Sequence, residues 1–373
     1  MLAPTSTPNF FLFLGRGFRI RTAYPLCRAL SRRLLKEEDA MSHFNGISKL
    51  AFGVLLVFLV SCGTGHDADE KYFLISTNVK IPYWQAGSAG LFQAAQQLKV
   101  RSEFAGPDSY DPKAEQKAFQ QAVQSKPTGI LVSVADPSLM KDDIDQAIAA
   151  GIPVITVDSD APASKRLLFI GTDNYHAGQI GGQKLAKLMN EKGNVVVFTI
   201  PEQANLKERL RGYRDALEAF PQIKITRVVD MKGDSRVAFD TATEILGQDK
   251  KERTDAFVCL EALAGKEVAT VLSSHGVKDK VILAMDTDED TLGWIQKGVI
   301  AATISQKPYT MSFVGLKMLD DLYHHKLSNL TADWARDSFA PIPAYIDTGS
   351  SLVDKTNVDA LIAASKTVTG GGK

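Results

Sequence analysis

Short runs of consecutive apolar residues alternate along this chain with longer amphipathic stretches. Continuous runs such as residues 72–76 and 129–133 are typical of strands in a parallel sheet that is covered on both faces. Further runs of this kind lie at 153–157, 167–170, 194–199, 225–229, 256–258, 281–284 and 301–304. Amphipathic stretches of helical length lie at 83–98, 137–149, 176–190, 206–219, 235–246, 261–274, 289–297 and 309–323. This alternation predicts an α/β fold with doubly wound parallel sheets.

The alternation restarts near residues 171–174, where a long predicted helix opens a second series of strands and helices. About 300 residues follow residue 70, a length that favours two domains over one. We therefore interpret the chain as two similar α/β lobes joined near this point. Residues 366–373 are expected to be a disordered tail.

An apolar run at residues 50–60 ends just before Cys62. The run is too short for a helix that spans a bilayer, which needs about 20 residues, but it has the length of the apolar region of a signal peptide. The small residues before Cys62 indicate a bacterial lipoprotein signal, with cleavage before the cysteine and lipidation of Cys62. The alternatives are a buried core helix and an uncleaved membrane anchor.

Residues 1–40 contain six arginines and do not fit a signal peptide. A start of translation at Met41 restores the usual distance to the apolar run. We therefore interpret residues 1–40 as an untranslated or disordered extension, 41–61 as the signal peptide and 62–70 as a polar tether.

The composition excludes several classes of function. The chain has 45% hydrophobic and 23% charged residues and a formal net charge of zero, so it lacks the basic footprint of a nucleic-acid-binding protein. The cysteines are Cys27, Cys62 and Cys259. Because only Cys259 would keep a free thiol after processing, an intramolecular disulfide and a cysteine-based zinc site are excluded. We expect no metal, no cofactor and a monomer.

Polar side chains follow several predicted strands, and ligands in open α/β sheets bind beyond the carboxyl ends of strands. Carboxylates and amides can hydrogen-bond vicinal hydroxyls, aromatic faces pack on the C–H side of a sugar ring, and arginine adds a rigid donor fork. The pattern therefore predicts a site for a hydroxyl-rich ligand. The candidate ligand-binding residues are Asn78, Tyr83, Trp84, Asp158, Asn205, Arg209, Glu261, Asp286 and Gln306.

Most of these candidates also have a purely structural interpretation, because strand ends and helix starts use the same residue types. The structural alternatives are a core pair for Tyr83 and Trp84, a turn for Asp158, a helix cap for Asp286, a helix-dipole contact for Glu261, a surface ion pair with Glu208 or Asp215 for Arg209, and a linker position for Gln306.

Six stretches of the chain carry a resemblance through their order and spacing: 75–78, 82–84, 153–158, 170–174, 208–213 and 301–308. With them the chain resembles the periplasmic sugar-binding proteins of the ribose-binding type, which are related to the ligand domain of lactose-repressor-like regulators. The resemblance extends over about residues 71–350. Ser159 and Leu260 stand where the family often has arginine and asparagine, so the resemblance implies a sugar without implying ribose.

The resemblance implies two lobes connected by three crossing segments, with an N-terminal lobe of 71–172 plus 307–335 and a C-terminal lobe of 173–306 plus 336–352. It implies a substrate-binding protein that captures a monosaccharide by hinge closure and docks on the permease subunits of an ABC-type importer. It carries ligand roles onto Tyr83, Trp84, Asp158, Arg209, Asp286 and Gln306, and it implies no catalysis.

Other functions remain compatible with the same pattern. A sensor lipoprotein would use the same cleft to present its ligand to a kinase or chemoreceptor, and the ligand could be a non-sugar molecule such as a nucleoside. Asp158 and Asp286 could be a glycosidase pair, since such enzymes need two flanking carboxylates. A transcription regulator would need a helix-turn-helix ahead of the first strand, where this chain has a signal peptide.

Overall fold

The computed structural model describes residues 65–67, 69–247, 253–334 and 336–370. Its strands are β1 (Lys71–Ile75), β2 (Arg101–Ala105), β3 (Gly129–Val132), β4 (Val154–Val157), β5 (Phe169–Gly171), β6 (Lys192–Thr199), β7 (Gln222–Asp230), β8 (Ala256–Cys259), β9 (Val281–Met285), β10 (Ala302–Ser305), β11 (Tyr345–Asp347) and β12 (Ser351–Asp354). Its helices are α1 (Pro82–Leu98), α2 (Pro112–Gln124), α3 (Pro137–Ala149), α4 (Asn174–Leu188), α5 (Ala204–Leu217), α6 (Ser235–Gly247), α7 (Ala264–Ser274), α8 (Glu289–Gln296), α9 (Pro308–His324) and α10 (Val358–Gly370).

The strands form two six-stranded sheets. The first has the order β11-β5-β4-β3-β1-β2, and its neighbouring strands are all parallel. The second has the order β12-β10-β9-β8-β6-β7 and is parallel except where β10 meets β12. The two sheets thus repeat one strand order, which confirms the prediction of two similar α/β lobes.

The central strands are apolar because both faces of each sheet are covered. Every residue of β3, β4 and β8 is buried, as the continuous Val, Ile and Leu runs indicated. In the lobe of the first sheet, helices α1, α2, α3 and α9 supply the covering layers through Leu91, Phe119, Ile144 and Leu316. Each lobe therefore has its own hydrophobic core.

The chain passes between the two lobes three times: after β5, after β10, and between β11 and β12. Hydrogen bonds link these three crossing segments. The Thr348 amide donates to the carbonyl of Gly171 at 2.8 Å, and the Asp173 amide donates to the Asp347 carboxylate at 3.1 Å. The Thr172 hydroxyl donates to Oε1 of Gln306 at 3.0 Å.

Aspartates begin several helices directly after the loops that follow the strands. The carboxylate of Asp111 accepts the first free backbone amides of α2 at 3.0 Å, and that of Asp173 accepts one from α4 at 2.8 Å. Such caps stabilise a helix by about 1 kcal/mol. Because the capped helices begin close to the edge of the sheet, the loops between strand and helix are short. The side chains of these loops lie in the space between the lobes.

Three features of the fold differ from the expectations. The sequence pattern does not predict β2 and α2, because β2 is an edge strand with polar, partly exposed residues. The assignment of 336–352 to the C-terminal lobe is wrong at β11, which pairs with β5 and extends the first sheet before the chain crosses. Residues 366–370 continue helix α10 and are not part of a disordered tail.

The extension 1–40, the signal peptide 41–61 and the lipidation site Cys62 lie outside the described residues. Among the helices that the structure does describe, none has the length and apolar character needed to cross a membrane.

Candidate ligand-binding cleft

A cleft lies between the lobes, beyond the carboxyl ends of strands from both sheets. Its volume is about 510 Å³, counting the space that is open to solvent. The structure brings all of the predicted site residues to its walls: Asn78, Tyr83, Trp84, Asp158, Asn205, Arg209, Glu261, Asp286 and Gln306.

Asp158 places a carboxylate of the N-terminal lobe in this cleft. The Tyr83 hydroxyl donates to its Oδ1 at 2.7 Å, and the Ser133 hydroxyl donates to its Oδ2 at 3.4 Å. The Asn205 amide, from the opposite lobe, donates to Oδ2 at 3.3 Å. Burial raises the pKa of Asp158, while the Arg209 charge and these hydrogen bonds oppose the increase. The carboxylate is therefore oriented by donors from both lobes.

Asp286 is the corresponding carboxylate of the C-terminal lobe. The Gln306 amide donates to its Oδ1 at 2.8 Å, and the Thr303 hydroxyl donates to its backbone carbonyl at 2.7 Å. Burial raises the pKa of Asp286 to about 7, against the lowering effect of the Arg209 charge. Both protonation states of this carboxyl are therefore accessible near neutral pH.

The two carboxylates occupy equivalent places in the repeated topology. Asp158 follows β4 and Asp286 follows β9, which are the fourth strands of their series. Both have left-handed backbone, with φ of 63° and 71°, and both are more than nine-tenths buried. Such strain costs about 1–3 kcal/mol in a residue other than glycine and concentrates at functional sites. The repeated fold thus places an equivalent buried carboxylate of each lobe on the cleft.

Arg209 connects the second lobe to the crossing segments. Its buried guanidinium donates through Nε to Asn174 Oδ1 at 2.8 Å, through Nη1 to the Leu260 carbonyl at 2.6 Å and through Nη2 to Gln306 Oε1 at 2.7 Å. Because Gln306 also holds Asp286, the arginine and the carboxylate belong to one hydrogen-bonded network. A planar fork of donors suits this role, which a lysine could not fill.

The structure decides between several of the alternatives. Arg211, not Arg209, forms the surface ion pair with Glu208, at 2.6 Å. Asp288, not Asp286, caps helix α8. The network described above also rules out a plain linker role for Gln306.

Tyr83 and Trp84 both line the cleft at the start of α1, with their rings edge to face at 5.2 Å between centroids. Trp84 is 3% exposed, and its indole N–H donates to the Thr77 hydroxyl at 3.2 Å. Trp84 is thus largely a core residue that shows one edge to the cleft. The Asn78 side chain accepts the Lys80 amide at 2.9 Å and shapes the loop before α1.

Glu261 lines the cleft but already has backbone partners. Its two carboxylate oxygens accept the amides of Leu263 and Ala264 at 2.7 and 2.8 Å, just where α7 begins. Burial raises its pKa, and these hydrogen bonds oppose the increase. The helix-end interpretation therefore describes its contacts, and Glu261 contributes mainly a wall to the cleft.

Sequence reasoning missed other parts of the wall, among them Thr77, Tyr110, Gln203 and Gly233. Tyr110 lies between β2 and α2, which the pattern did not predict, although Asp111 followed by Pro112 is a recognisable helix start. A Cβ atom added to Gly233 would lie 2.1 Å from the Cβ atom of Tyr110. The two lobes therefore touch at this point of the cleft.

A family model described as periplasmic binding protein domain matches residues 72–326, more than half of the chain. The chain belongs to this family. It is a type I periplasmic sugar-binding protein and a binder rather than an enzyme, which confirms the resemblance seen in the sequence and removes the glycosidase alternative.

Three relatives illustrate the similarity. The sugar-binding protein of a sugar ABC transporter from Bacillus halodurans is 34% identical to this chain and superposes on it with a TM-score of 0.67. The superposition covers 78% of this chain and 99% of the Bacillus halodurans chain. The xylose/arabinose-binding protein XylF of Sulfolobus acidocaldarius is 24% identical over 78% of this chain and 72% of its own. XylFII in a XylFII–LytSN complex is 27% identical, covers 78% and 99%, and has a TM-score of 0.69.

Proposed function

We propose that this periplasmic binding protein captures a monosaccharide of the pentose type in its cleft and delivers it to the permease of an ABC importer. The observation that carries the proposal is the pair of buried carboxylates, Asp158 and Asp286, which opposite lobes present to one cleft. The pentose class is supported by the relative described as a xylose/arabinose-binding protein. Delivery to a permease is supported by the relative described as part of a sugar ABC transporter.

In this proposal, binding and closure of the lobes are one event. A sugar that bridges the two carboxylates contacts both lobes, so it binds the closed form more tightly than the open form and shifts the population towards it. The three crossing segments act as the hinge. The Asn205 amide donates to Asp158 across the cleft, and ligand hydroxyls would add further hydrogen bonds between the lobes.

We also propose that the protein is a lipid-anchored monomer in the cell envelope, with Cys62 as the modified first residue of the mature chain. Mass spectrometry of the mature N-terminus is the direct measurement. A Cys62→Ser variant is expected to appear in the soluble fraction, and membrane retention of that variant would contradict the anchor.

The test of sugar binding begins with a thermal-shift screen of pentoses, hexoses, polyols and nucleosides, because a ligand that binds only the native state raises the unfolding temperature. Calorimetry with the best sugar is then repeated on Asp158→Asn and Asp286→Asn. Each variant loses one carboxylate acceptor and is expected to lose about 1–3 kcal/mol of binding free energy. The matched control is Asp290→Asn, because Asp290 lies on the exposed face of α8. This variant should bind the sugar with the affinity of the parent. Unchanged affinity in both cleft variants would contradict the site.

A second function is favoured by one comparison. XylFII is described in a complex with LytSN, which supports a sensing role in which the sugar-loaded protein docks on another protein instead of a permease. A deletion strain separates the two. Loss of uptake of the labelled sugar supports import, whereas normal uptake with loss of the sugar-induced transcriptional response supports sensing.

A further inference from the structure

A second cluster of polar side chains lies in the N-terminal lobe, and the cleft does not include it. Two histidines and two carboxylates meet there: His66 and Glu70 from the segment ahead of β1, and Asp320 and His324 from α9. One donor atom from each residue lies within 4.8 Å of the others. Asp320 and His324 are one turn apart, so they project from the same face of the helix.

The hydrogen bonds fix the tautomer of His324. Its Nδ1 is 2.9 Å from the backbone carbonyl of Asp320, which can only accept, so Nδ1 carries the proton. Nε2 is then the atom that faces Oε1 of Glu70, at 3.2 Å. It donates to Glu70 when the ring is protonated, and in the neutral ring it has a lone pair that can bind a cation. A backbone carbonyl that orients an imidazole in this way is the usual partner of a metal-binding histidine.

The carboxylates leave acceptors in excess. Glu70 is 4% exposed. Its Oε1 accepts the Asp67 amide at 2.7 Å, and its Oε2 is buried with no hydrogen-bond partner among the residues that the structure describes. Asp320 accepts a hydrogen bond from Tyr72 at 3.2 Å and faces His66 Nε2 at 3.0 Å. A positive charge stabilises two buried carboxylates that face two imidazole nitrogens, and either protonated histidines or a bound cation can supply it. An acceptor left unpaired in this place costs about 1–3 kcal/mol, and a charged one costs more.

We propose that His66, Glu70, Asp320 and His324 form a binding site for a divalent transition-metal ion, with Zn²⁺ as the best match. Two imidazoles and two carboxylates make a four-ligand set of the kind that tetrahedral zinc accepts, and their two negative charges balance the ion. The donor atoms lie within 4.8 Å of one another and would move closer together to form Zn–N and Zn–O bonds of about 2.0–2.2 Å. Tyr72 would serve as an outer hydrogen-bond partner of Asp320.

The site would fasten the start of the folded body to α9. Residues 62–70 were expected to be a tether, yet His66 and Glu70 contact a helix more than 250 positions away in sequence. A bound ion would replace these hydrogen bonds with coordinate bonds. His66 and Glu70 would then be held on the N-terminal lobe, so this part of the expected tether would belong to the folded body.

The experiment titrates Zn²⁺ into the full chain, purified without a polyhistidine tag and treated with a chelator, and measures binding by calorimetry and metal analysis. One Zn²⁺ per chain is expected. His324→Ala and Glu70→Gln should weaken binding by at least about 100-fold. The matched control is His325→Ala, which removes the neighbouring exposed histidine, whose Nδ1 lies 3.1 Å from Asp321. This variant should bind Zn²⁺ as the parent does.

A second variant guards against a folding defect. His66→Ala removes a ligand from the segment ahead of β1 and leaves α9 unchanged. It should lower the metal-free unfolding temperature only by the loss of the His66–Asp320 hydrogen bond, and it should lose the increase that Zn²⁺ produces in the parent. Absence of Zn²⁺ binding in the parent would overturn the proposal, and so would equal affinity in parent and His66→Ala. These readouts involve no sugar and are therefore independent of the proposed function.

Discussion

At the scale of single residues, position after a strand was enough to identify the cleft. Asp158 and Asp286 were predicted because each follows a buried apolar run, and the structure places both on the cleft. What position could not reveal is which other residue a side chain contacts. Arg209 and Arg211 lie two positions apart on one helix and therefore point in different directions from the helix axis. Arg209 is buried and donates to the Leu260 carbonyl, whereas Arg211 forms a surface ion pair with Glu208.

The raised pKa of Asp286 predicts a pH-dependent stability of the sugar-free protein. Its folded pKa, about 7, lies above its ordinary value of 3.8, so the folded state holds the proton more tightly than the unfolded state. This contribution to stability is complete below about pH 4 and is lost as the pH rises to about 7. Asp286→Asn lacks the titrating group, so its stability relative to the parent should increase between these pH values.

Urea unfolding at several pH values between 4 and 8 measures this difference. Asp290→Asn serves as the control, because it makes the same substitution at an exposed aspartate four positions away. Parallel stability curves for Asp286→Asn and the parent would show that burial does not raise this pKa. The carboxyl of Asp158 is present in all three proteins, so most of its contribution cancels.

At the scale of elements, the strands made of continuous apolar runs could be predicted from the sequence. The strands that are defined mainly by their pairing partners could not. The central strands were found because both of their faces are covered, whereas β2 is a polar edge strand and β11 has only three residues. Strand β11 belongs to the first sheet because it pairs with β5. The paired residues Tyr345 and Phe169 are 176 positions apart in the sequence. The cluster around His66 and Asp320 was invisible for the same reason.

Glycine contacts between helices set the position of Arg209. Helices α4 and α5 pack closely because Gly178 faces the backbone of α5: a Cβ atom at Gly178 would lie 2.2 Å from the carbonyl oxygen of Arg209. The other lobe uses the same device, since a Cβ atom at Gly90 of α1 would lie 2.1 Å from the carbonyl oxygen of Tyr309 in α9. In each lobe, a helix that carries cleft residues is therefore placed by a glycine.

Gly178→Ala should push α5 away from α4 and move Arg209 from its acceptors. Overpacking of this kind costs about 1–3 kcal/mol of stability, and sugar affinity should fall as well. Calorimetric unfolding and sugar titration measure the two effects. In the control, Gly293→Ala, the added methyl group meets no atom within 4 Å in helix α8, and a gain of about 0.5–1 kcal/mol is expected. Equal stability changes in the two variants would contradict the packing argument.

At the scale of the whole molecule, the repeated topology explains why one cleft can be built from two lobes. Each sheet carries an aspartate after its fourth strand, and the three crossing segments run side by side, so the lobes can approach each other while each core stays intact. The point of contact between Tyr110 and Gly233 lies on loops that precede α2 and α6, one from each lobe. Contact there is possible only because residue 233 has no side chain.

Gly233→Ala should therefore prevent full closure. The added Cβ atom would collide with Tyr110, so the sugar-bound form should be more open and sugar affinity should fall by at least about 10-fold, or about 1.4 kcal/mol. Small-angle X-ray scattering with saturating sugar should give a larger radius of gyration than for the parent. Gly276→Ala is the matched control, because Gly276 has nearly the same backbone angle (φ 66° against 71°) and no atom within 4 Å of the added Cβ.

A double-mutant comparison separates collision from backbone strain. In a Tyr110→Gly background the opposing Cβ atom is absent, so adding Gly233→Ala should change sugar affinity no more than Gly276→Ala changes it in the parent. An interaction energy between positions 110 and 233 is expected because the two residues are in contact. If Gly233→Ala weakens sugar binding equally with and without the Tyr110 side chain, the loss comes from local strain in the C-terminal lobe, and closure does not depend on this contact.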